Sequence, residues 1–136
     1  MATEEIEAGV HVLLDINNIR PELLYAQDFI EHAMVSAARK ANATILHSYF
    51  HHFGGQWGVT GVVAVSESHL SIHTWPEWGY ASVDIYLCRG MDPRICAKYL
   101  VEIFESTSYN MNVITRKAVI DSTTSETSSC NAIRCQ

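Results

Sequence analysis

Tyr80-Ala81-Ser82-Val83-Asp84-Ile85-Tyr86-Leu87-Cys88 sets Ala81, Val83, Ile85 and Leu87 against Ser82, Asp84, Tyr86 and Cys88. Successive side chains on a strand point to opposite faces. One face of this strand is therefore core, and the other carries chemistry. A period of two also governs Val10, Val12, Leu14 and Ile16, which alternate with His11 and Asp15 until Asn17-Asn18 breaks the pattern. Ala43 to Phe53 is β-branched and aromatic and reads as a strand. Val59 to Val65 is apolar on both alternating faces, as in a strand covered on both sides. His69 to Thr74 is a further extended piece, and Pro76 disfavours a helix beside it. Met111 to Val119 alternates as a last strand.

Two helices interrupt these strands. Pro21 opens one that the apolar spacing of Leu23, Ala26, Ile30, Ala33 and Ala37 carries to Asn42. Asp92-Pro93 is an N-cap followed by a first-turn proline. The helix it starts puts Cys96, Tyr99, Leu100 and Ile103 on one stripe. The order of elements implies an α+β fold: a two-layer α/β sandwich with a mostly antiparallel sheet and two helices on one face. The face bearing Asp84, Tyr86 and Cys88 then needs cover, and a second copy pairing sheet to sheet is the simplest.

The chain has 136 residues, 48% of them hydrophobic, which is enough for a core. We expect a single domain over residues 1–121 and a disordered, Ser/Thr-rich tail over residues 122–136. The formal net charge is −6, and the basic residues are scattered, with Arg39-Lys40 and Arg116-Lys117 the largest clusters. Nucleic acid and anionic membrane surfaces are therefore not expected partners. The N-terminus is acidic and reads as no export signal, and no apolar run reaches the ~18 residues of a membrane helix. A cytoplasmic protein with reduced thiols at Cys88, Cys96, Cys130 and Cys135 is the expectation. A metal or disulfide clip at Cys130 and Cys135 is the alternative for the tail.

The chemistry concentrates in Glu67-Ser68-His69-Leu70-Ser71-Ile72-His73-Thr74-Trp75-Pro76-Glu77. On a helix, His69 and His73 would share a face and could share a zinc ion. On a strand they stand ~13 Å apart, too far for one ion. No metal site is expected, and His47 and His52 read as surface or hydrogen-bonded residues. A Ser68–His73 hydrolase pair, with Asp84 orienting the imidazole, would lack the Gly-x-Ser-x-Gly elbow.

A third reading comes from resemblance. Residues 67–81, ending Glu77-Trp78-Gly79-Tyr80-Ala81, resemble the processing and active-site motif of the short, pyruvoyl-dependent, self-processing prokaryotic S-adenosylmethionine decarboxylases. The likeness extends to Gly58-Val59-Thr60-Gly61-Val62-Val63, Val83-Asp84-Ile85-Tyr86-Leu87-Cys88, Ala43-Thr44-Ile45-Leu46, Phe50-His51-His52-Phe53 and His11-Val12-Leu13-Leu14-Asp15. The loop Gly54-Gly55-Gln56-Trp57 replaces a shorter one, and Thr60 stands where serine is common. The resemblance implies cleavage between Glu67 and Ser68, with Thr60 as donor to the oxyanion and His73 as acceptor of the Ser68 α-proton. It implies a pyruvoyl group made from Ser68, which forms a Schiff base with the substrate and accepts electrons as carbon dioxide leaves. Cys88 would be the proton donor in decarboxylation. Phe53, Trp75 and Glu77 would bind S-adenosylmethionine, Glu77 at the ribose and the two rings at the adenine. The implied product is decarboxylated S-adenosylmethionine, the aminopropyl donor for spermidine, made by a dimer of cleaved protomers. The same machinery acting on arginine or ornithine is the alternative. A non-catalytic regulatory homologue would leave the chain uncut.

Overall fold

The structure, a computed structural model, describes residues 2–121. The expectations for residues 122–136, including Cys130 and Cys135, lie outside the described residues. One six-stranded antiparallel sheet runs in the order β2-β3-β4-β5-β1-β6. Its strands are β1 (Thr3–Asn17), β2 (Thr44–His52), β3 (Val59–Ser66), β4 (Ser68–Trp75), β5 (Tyr80–Cys88) and β6 (Ser108–Asp121). The helices are α1 (Pro21–Leu24), α2 (Gln27–Lys40) and α3 (Pro93–Ile103), and Pro76–Trp78 forms a 3-10 turn. The α+β, two-layer arrangement is the expected one.

The period-two pattern places the core where Tyr80–Cys88 indicated. Ala81, Val83, Ile85 and Leu87 are buried, together with Val12, Leu14, Ile16, Leu70 and Ile72 from the neighbouring strands. Helix α2 packs over β2 and β3, and α3 over β1 and β5, and the two helices touch each other. Ile30, Ala33, Met34 and Ala37 of α2 and Cys96, Ala97 and Leu100 of α3 close this layer. The opposite face carries His11, Thr60, His69, Ser71, His73, Ser82, Asp84 and Tyr86, which are exposed or half-buried. Leu13 and Val62 stand among them, with Ile114 on β6, and all three are exposed.

Three elements differ from expectation. The first helix is broken at Tyr25-Ala26, where Ala26 is extended at φ −91° and ψ 91°. The Leu24 carbonyl, which a continuous helix would bond to an amide four residues on, instead accepts from the Thr74 hydroxyl at 2.7 Å. Strand β1 begins at Thr3 and not Val10, because β6 pairs with it from Asn17↔Ser108 to Thr3↔Asp121. That ladder is set by backbone pairing beyond the core, so its outer side chains carry little apolar alternation. The register shifts between Glu7 and Gly9, a bulge at Ala8. At the end of α2, Asn42 takes a left-handed φ of 63°, and the Ala43 amide donates to the Ala38 carbonyl at 3.1 Å. That geometry stops the helix there.

Asp92 caps α3 as its sequence position requires, accepting from the Arg94 backbone amide at 3.0 Å and from Arg94 Nε at 2.9 Å. The hydrogen bond from the Arg94 side chain holds the Asp92 carboxyl below its ordinary range. A lowered folded-state pKa gives stability that is present above the ordinary carboxylate range and lost as pH falls through the folded value. Asp92→Ala is therefore expected to lower stability at neutral pH by about 1 kcal/mol, read from the urea midpoint at unchanged slope. The gap to wild type should close in acid; a gap of constant size down to the lowest pH at which both fold would refute this assignment.

Candidate active site

Ser68 opens β4 at a two-residue hairpin turn. Val65 and Ser68 are register partners, with Ser66 and Glu67 between them. Glu67 is exposed, whereas the Ser68 hydroxyl oxygen is buried and has no hydrogen-bond partner among the described residues. Buried hydroxyls are normally paired, so this orphaned oxygen beside the Glu67 carbonyl marks the turn. Cys88 ends β5 at the same end of the sheet, since His69 pairs with Tyr86 and the next residues run on from there. It is 4% exposed, and its sulfur lies 3.6 Å from Met91 Sδ. Cys96 is a different kind of cysteine: burial pushes its thiol up to about 12, and it donates to the Ala37 carbonyl at 3.1 Å, as a packing residue.

His73 and Thr60 face each other at the other end of the same hairpin. They are register partners, and His73 Nδ1 lies 3.0 Å from Thr60 Oγ1. One tautomer suits both of the expected roles. If Nδ1–H donates to Thr60, the Nε2 lone pair is free to take a proton, and the Thr60 hydroxyl hydrogen is free to reach an oxyanion. Phe53, Thr60, His73, Trp75 and Glu77 share one cleft, with a volume near 370 Å³, to which Trp57 and Gly58 also contribute. Phe53 is 59% exposed and meets His51 edge-on at 4.7 Å. Trp75 stacks on Trp78 at 5.9 Å and on Tyr80 at 5.3 Å.

The expected residues thus form two groups. Ser68 and His73 are five residues apart on one strand, about 16 Å at ~3.3 Å per residue. A single protomer does not bring His73 or Thr60 to the Ser68 α-carbon. The hydrolase pairing fails for the same reason. Asp84 does not orient His73 either: it meets His11 Nε2 at 3.1 Å and accepts from Ser71 at 3.5 Å. His69 lies against His11 and Tyr86, away from His73. Among the described residues no group of three His, Cys, Asp or Glu side chains could hold a metal ion.

Three supporting features escape sequence reasoning. Thr74 is buried, accepts from the Val59 amide at 2.8 Å and donates to Leu24, tying both strands of the hairpin to α1. Gly58 passes beneath the Thr74 carbonyl so closely that a Cβ would lie 1.9 Å from its oxygen. Tyr80 donates to Asp15 Oδ1 at 2.5 Å, and burial, reinforced by that carboxylate, pushes its phenol up to about 12. The alternation of β4 put Thr74 on the core face, and a hydroxyl there was the one available signal.

Comparison with known proteins bears on the whole arrangement. Residues 10–117 match the family described as S-adenosylmethionine decarboxylase. Proteins named S-adenosylmethionine decarboxylase proenzyme are similar to this chain. That of Thermodesulfovibrio yellowstonii is 46% identical over 98 residues, covering 71% of this chain and 72% of its own. That of Clostridium kluyveri is 43% identical over 111 residues, covering 81% and 87%. The crystal structure of the adenosylmethionine decarboxylase from Aquifex aeolicus superposes with a TM-score of 0.74 at 31% identity, covering 81% of this chain and 91% of that one.

Thr74→Val keeps the branched shape but leaves the Val59 amide and the Leu24 carbonyl unpaired. A loss of about 1–3 kcal/mol is expected, measured by denaturant unfolding. A variant as stable as wild type would show that these bonds do not hold the cleft wall.

Proposed function

The chain belongs to the S-adenosylmethionine decarboxylase family, a family of carboxy-lyases made as proenzymes, and on that premise we propose how its residues carry out processing and catalysis. The carrying observation is the buried, unpartnered Ser68 hydroxyl beside the Glu67 carbonyl at a hairpin turn. Ser68 Oγ attacks that carbonyl, and the Glu67–Ser68 amide becomes an ester. Thr60 donates to the oxyanion on the way. His73 Nε2 then takes the Ser68 α-proton, the Glu67 carboxylate leaves, and a dehydroalanine remains at the new chain start. Water adds and ammonia departs, leaving a pyruvoyl group at residue 68. That group supplies the electron sink for loss of carbon dioxide. Phe53 and Trp75 offer aromatic surface to the nucleoside and its sulfonium, Glu77 offers a carboxylate to the ribose hydroxyls, and the reduced Cys88 thiol returns a proton to the product carbon.

The separation of the two groups supports a shared site. Thr60 and His73 of one copy reach Ser68 only if they belong to a second copy. The sheet face bearing Leu13, Val62 and Ile114 is apolar enough to meet such a copy. A two-fold dimer, sheet on sheet, would give two sites, each with Ser68 and Cys88 from one protomer and the Phe53 to Glu77 cleft from the other. No described helix is long and apolar enough to cross a membrane.

Intact mass and carbon dioxide release test this reading. Wild type should give two fragments meeting at 67 and 68, the second with a blocked N-terminus. Under reducing conditions it should release carbon dioxide from S-adenosylmethionine in preference to arginine and ornithine. Ser68→Ala should stay whole and inactive. Cys88→Ala should be cut but slower by about 10²-fold or more. Ser68→Ala and His73→Ala should each remain uncut alone. Refolded together, they should yield cut His73→Ala chains, because the Ser68→Ala partner supplies the imidazole. Cleavage of His73→Ala by itself, or none in the mixture, would remove the shared site.

A further inference from the structure

The period of β6 splits the pair Arg116-Lys117. Lys117 turns to Glu5, 3.2 Å away. Arg116 belongs to the open face of the sheet, and its guanidinium lies over the Tyr86 ring, Cζ 5.5 Å from the ring centre. It makes no ion pair among the described residues. Asp84, a carboxylate on the same face, is held by His11 and Ser71. A ring face attracts a cation but does not neutralise it, so this charge is left for another partner.

Register puts that charge at the Ser68–Cys88 end. Gly9 pairs with Arg116 on one side and with Cys88 on the other. The three residues form one row across the sheet, and Gly9 is the gap in it. A Cβ at Gly9 would lie 2.9 Å from Tyr86 Cε1 and 2.4 Å from the Leu87 carbonyl oxygen. Without one, the Tyr86 ring leans over β1 and meets the guanidinium reaching in from the edge strand β6. Tyr86 pairs with His69, the residue after Ser68. The other end of the sheet offers nothing similar. Among the described residues no lysine or arginine lines the Phe53 to Glu77 cleft, and Glu77 adds a carboxylate there.

We infer that Arg116 is a substrate-binding residue: it holds the α-carboxylate of S-adenosylmethionine, the group lost as carbon dioxide. This inference rests on the proposed substrate and on the proposed pyruvoyl group at residue 68, and it adds the counter-charge beside them. A guanidinium presents its donors as a flat fork that fits a carboxylate through two hydrogen bonds. Fixing that group fixes which bond of the α-carbon is poised to break. Carbon dioxide leaves uncharged, so the ion pair is strongest before the bond breaks, and its loss shows mainly in KM.

The test compares S-adenosylmethionine with its decarboxylated product, which differs only in lacking the carboxylate. KM and kcat for the first and the inhibition constant of the second are measured for wild type, Arg116→Gln, Arg116→Lys and Arg89→Gln under reducing conditions. All four should be cut and should sediment as the same assembly. Arg116→Gln should raise KM about tenfold or more and leave the inhibition constant of the product within about twofold. Arg116→Lys should recover part of the loss, since it keeps the charge without the fork. Arg89→Gln, which removes the cation next to Cys88, should change neither constant. An Arg116→Gln KM within about twofold of wild type would overturn the role of Arg116 alone. So would a parallel rise in both constants or an uncut Arg116→Gln chain, either of which would mean a disturbed site. A changed assembly would make Arg116 an interface residue, and an equal rise in Arg89→Gln would make the effect one of net charge; each also removes the assignment. A cut wild-type enzyme that releases no carbon dioxide from S-adenosylmethionine would overturn this inference together with the proposed substrate.

Discussion

A strand cannot turn back on itself, and that constraint organises everything functional in this protein. Strand β4 begins with Ser68 and reaches His73 five residues later, with β3 and β5 paired on either side. The pairing fixes both residues in a rigid ladder at a distance no rotamer can span. Chemistry that needs both must draw them from two copies of the ladder. The exposed sheet face and the split between the Ser68–Cys88 end and the Thr60–His73 end are then two aspects of one arrangement. On the proposed reading, monomer folding makes two half-sites and a second copy completes each.

The cleft end of the ladder is held by polar contacts that the core does not supply. Thr74 reaches under the sheet to Leu24 and across to Val59. That one hydroxyl takes up the Leu24 carbonyl at the helix break and the Val59 amide at the start of the strand that carries Thr60. Gly58 can pass beneath it only because it has no side chain. The loop bearing Phe53 and Trp57, which joins β2 to β3, adjoins this close passage.

How much of this was legible depended on whether the deciding contact was local. Tyr80–Cys88 was read to the residue, because a strand with one buried and one open face writes its period in its own side chains. The start of β1 at Thr3 was not, because residues 3–9 are held by backbone bonds to β6 and bury little. The break at Tyr25-Ala26 was invisible because the donor that takes up the freed Leu24 carbonyl lies 50 residues away in Thr74. Ser68, Thr60, His73, Phe53, Trp75 and Glu77 were nameable from the motif. Their division into two groups required only the strand assignment already made for residues 69–74 and the rise per residue. Nothing in a single sequence distinguishes an indole in the core from one standing in solvent, as Trp57 does.

The same topology would hold the chain together after the proposed cut between Glu67 and Ser68. Residues 1–67 hold β1, β2 and β3, and the rest hold β4, β5 and β6. In the sheet these do not form two blocks. Strand β1 lies between β5 and β6, paired to both, and β3 pairs with β4. Three ladders therefore join the two fragments, and α2 and α3 pack against each other across the same division. Opening the bond at a two-residue turn removes no ladder partner from either strand, because turn residues contribute little to the pairing they connect. The cost of separating the fragments is close to that of unfolding the whole sheet, so cleavage can proceed to completion without loss of the fold. A scissile bond inside any strand would have broken the very register that holds the half-sites apart.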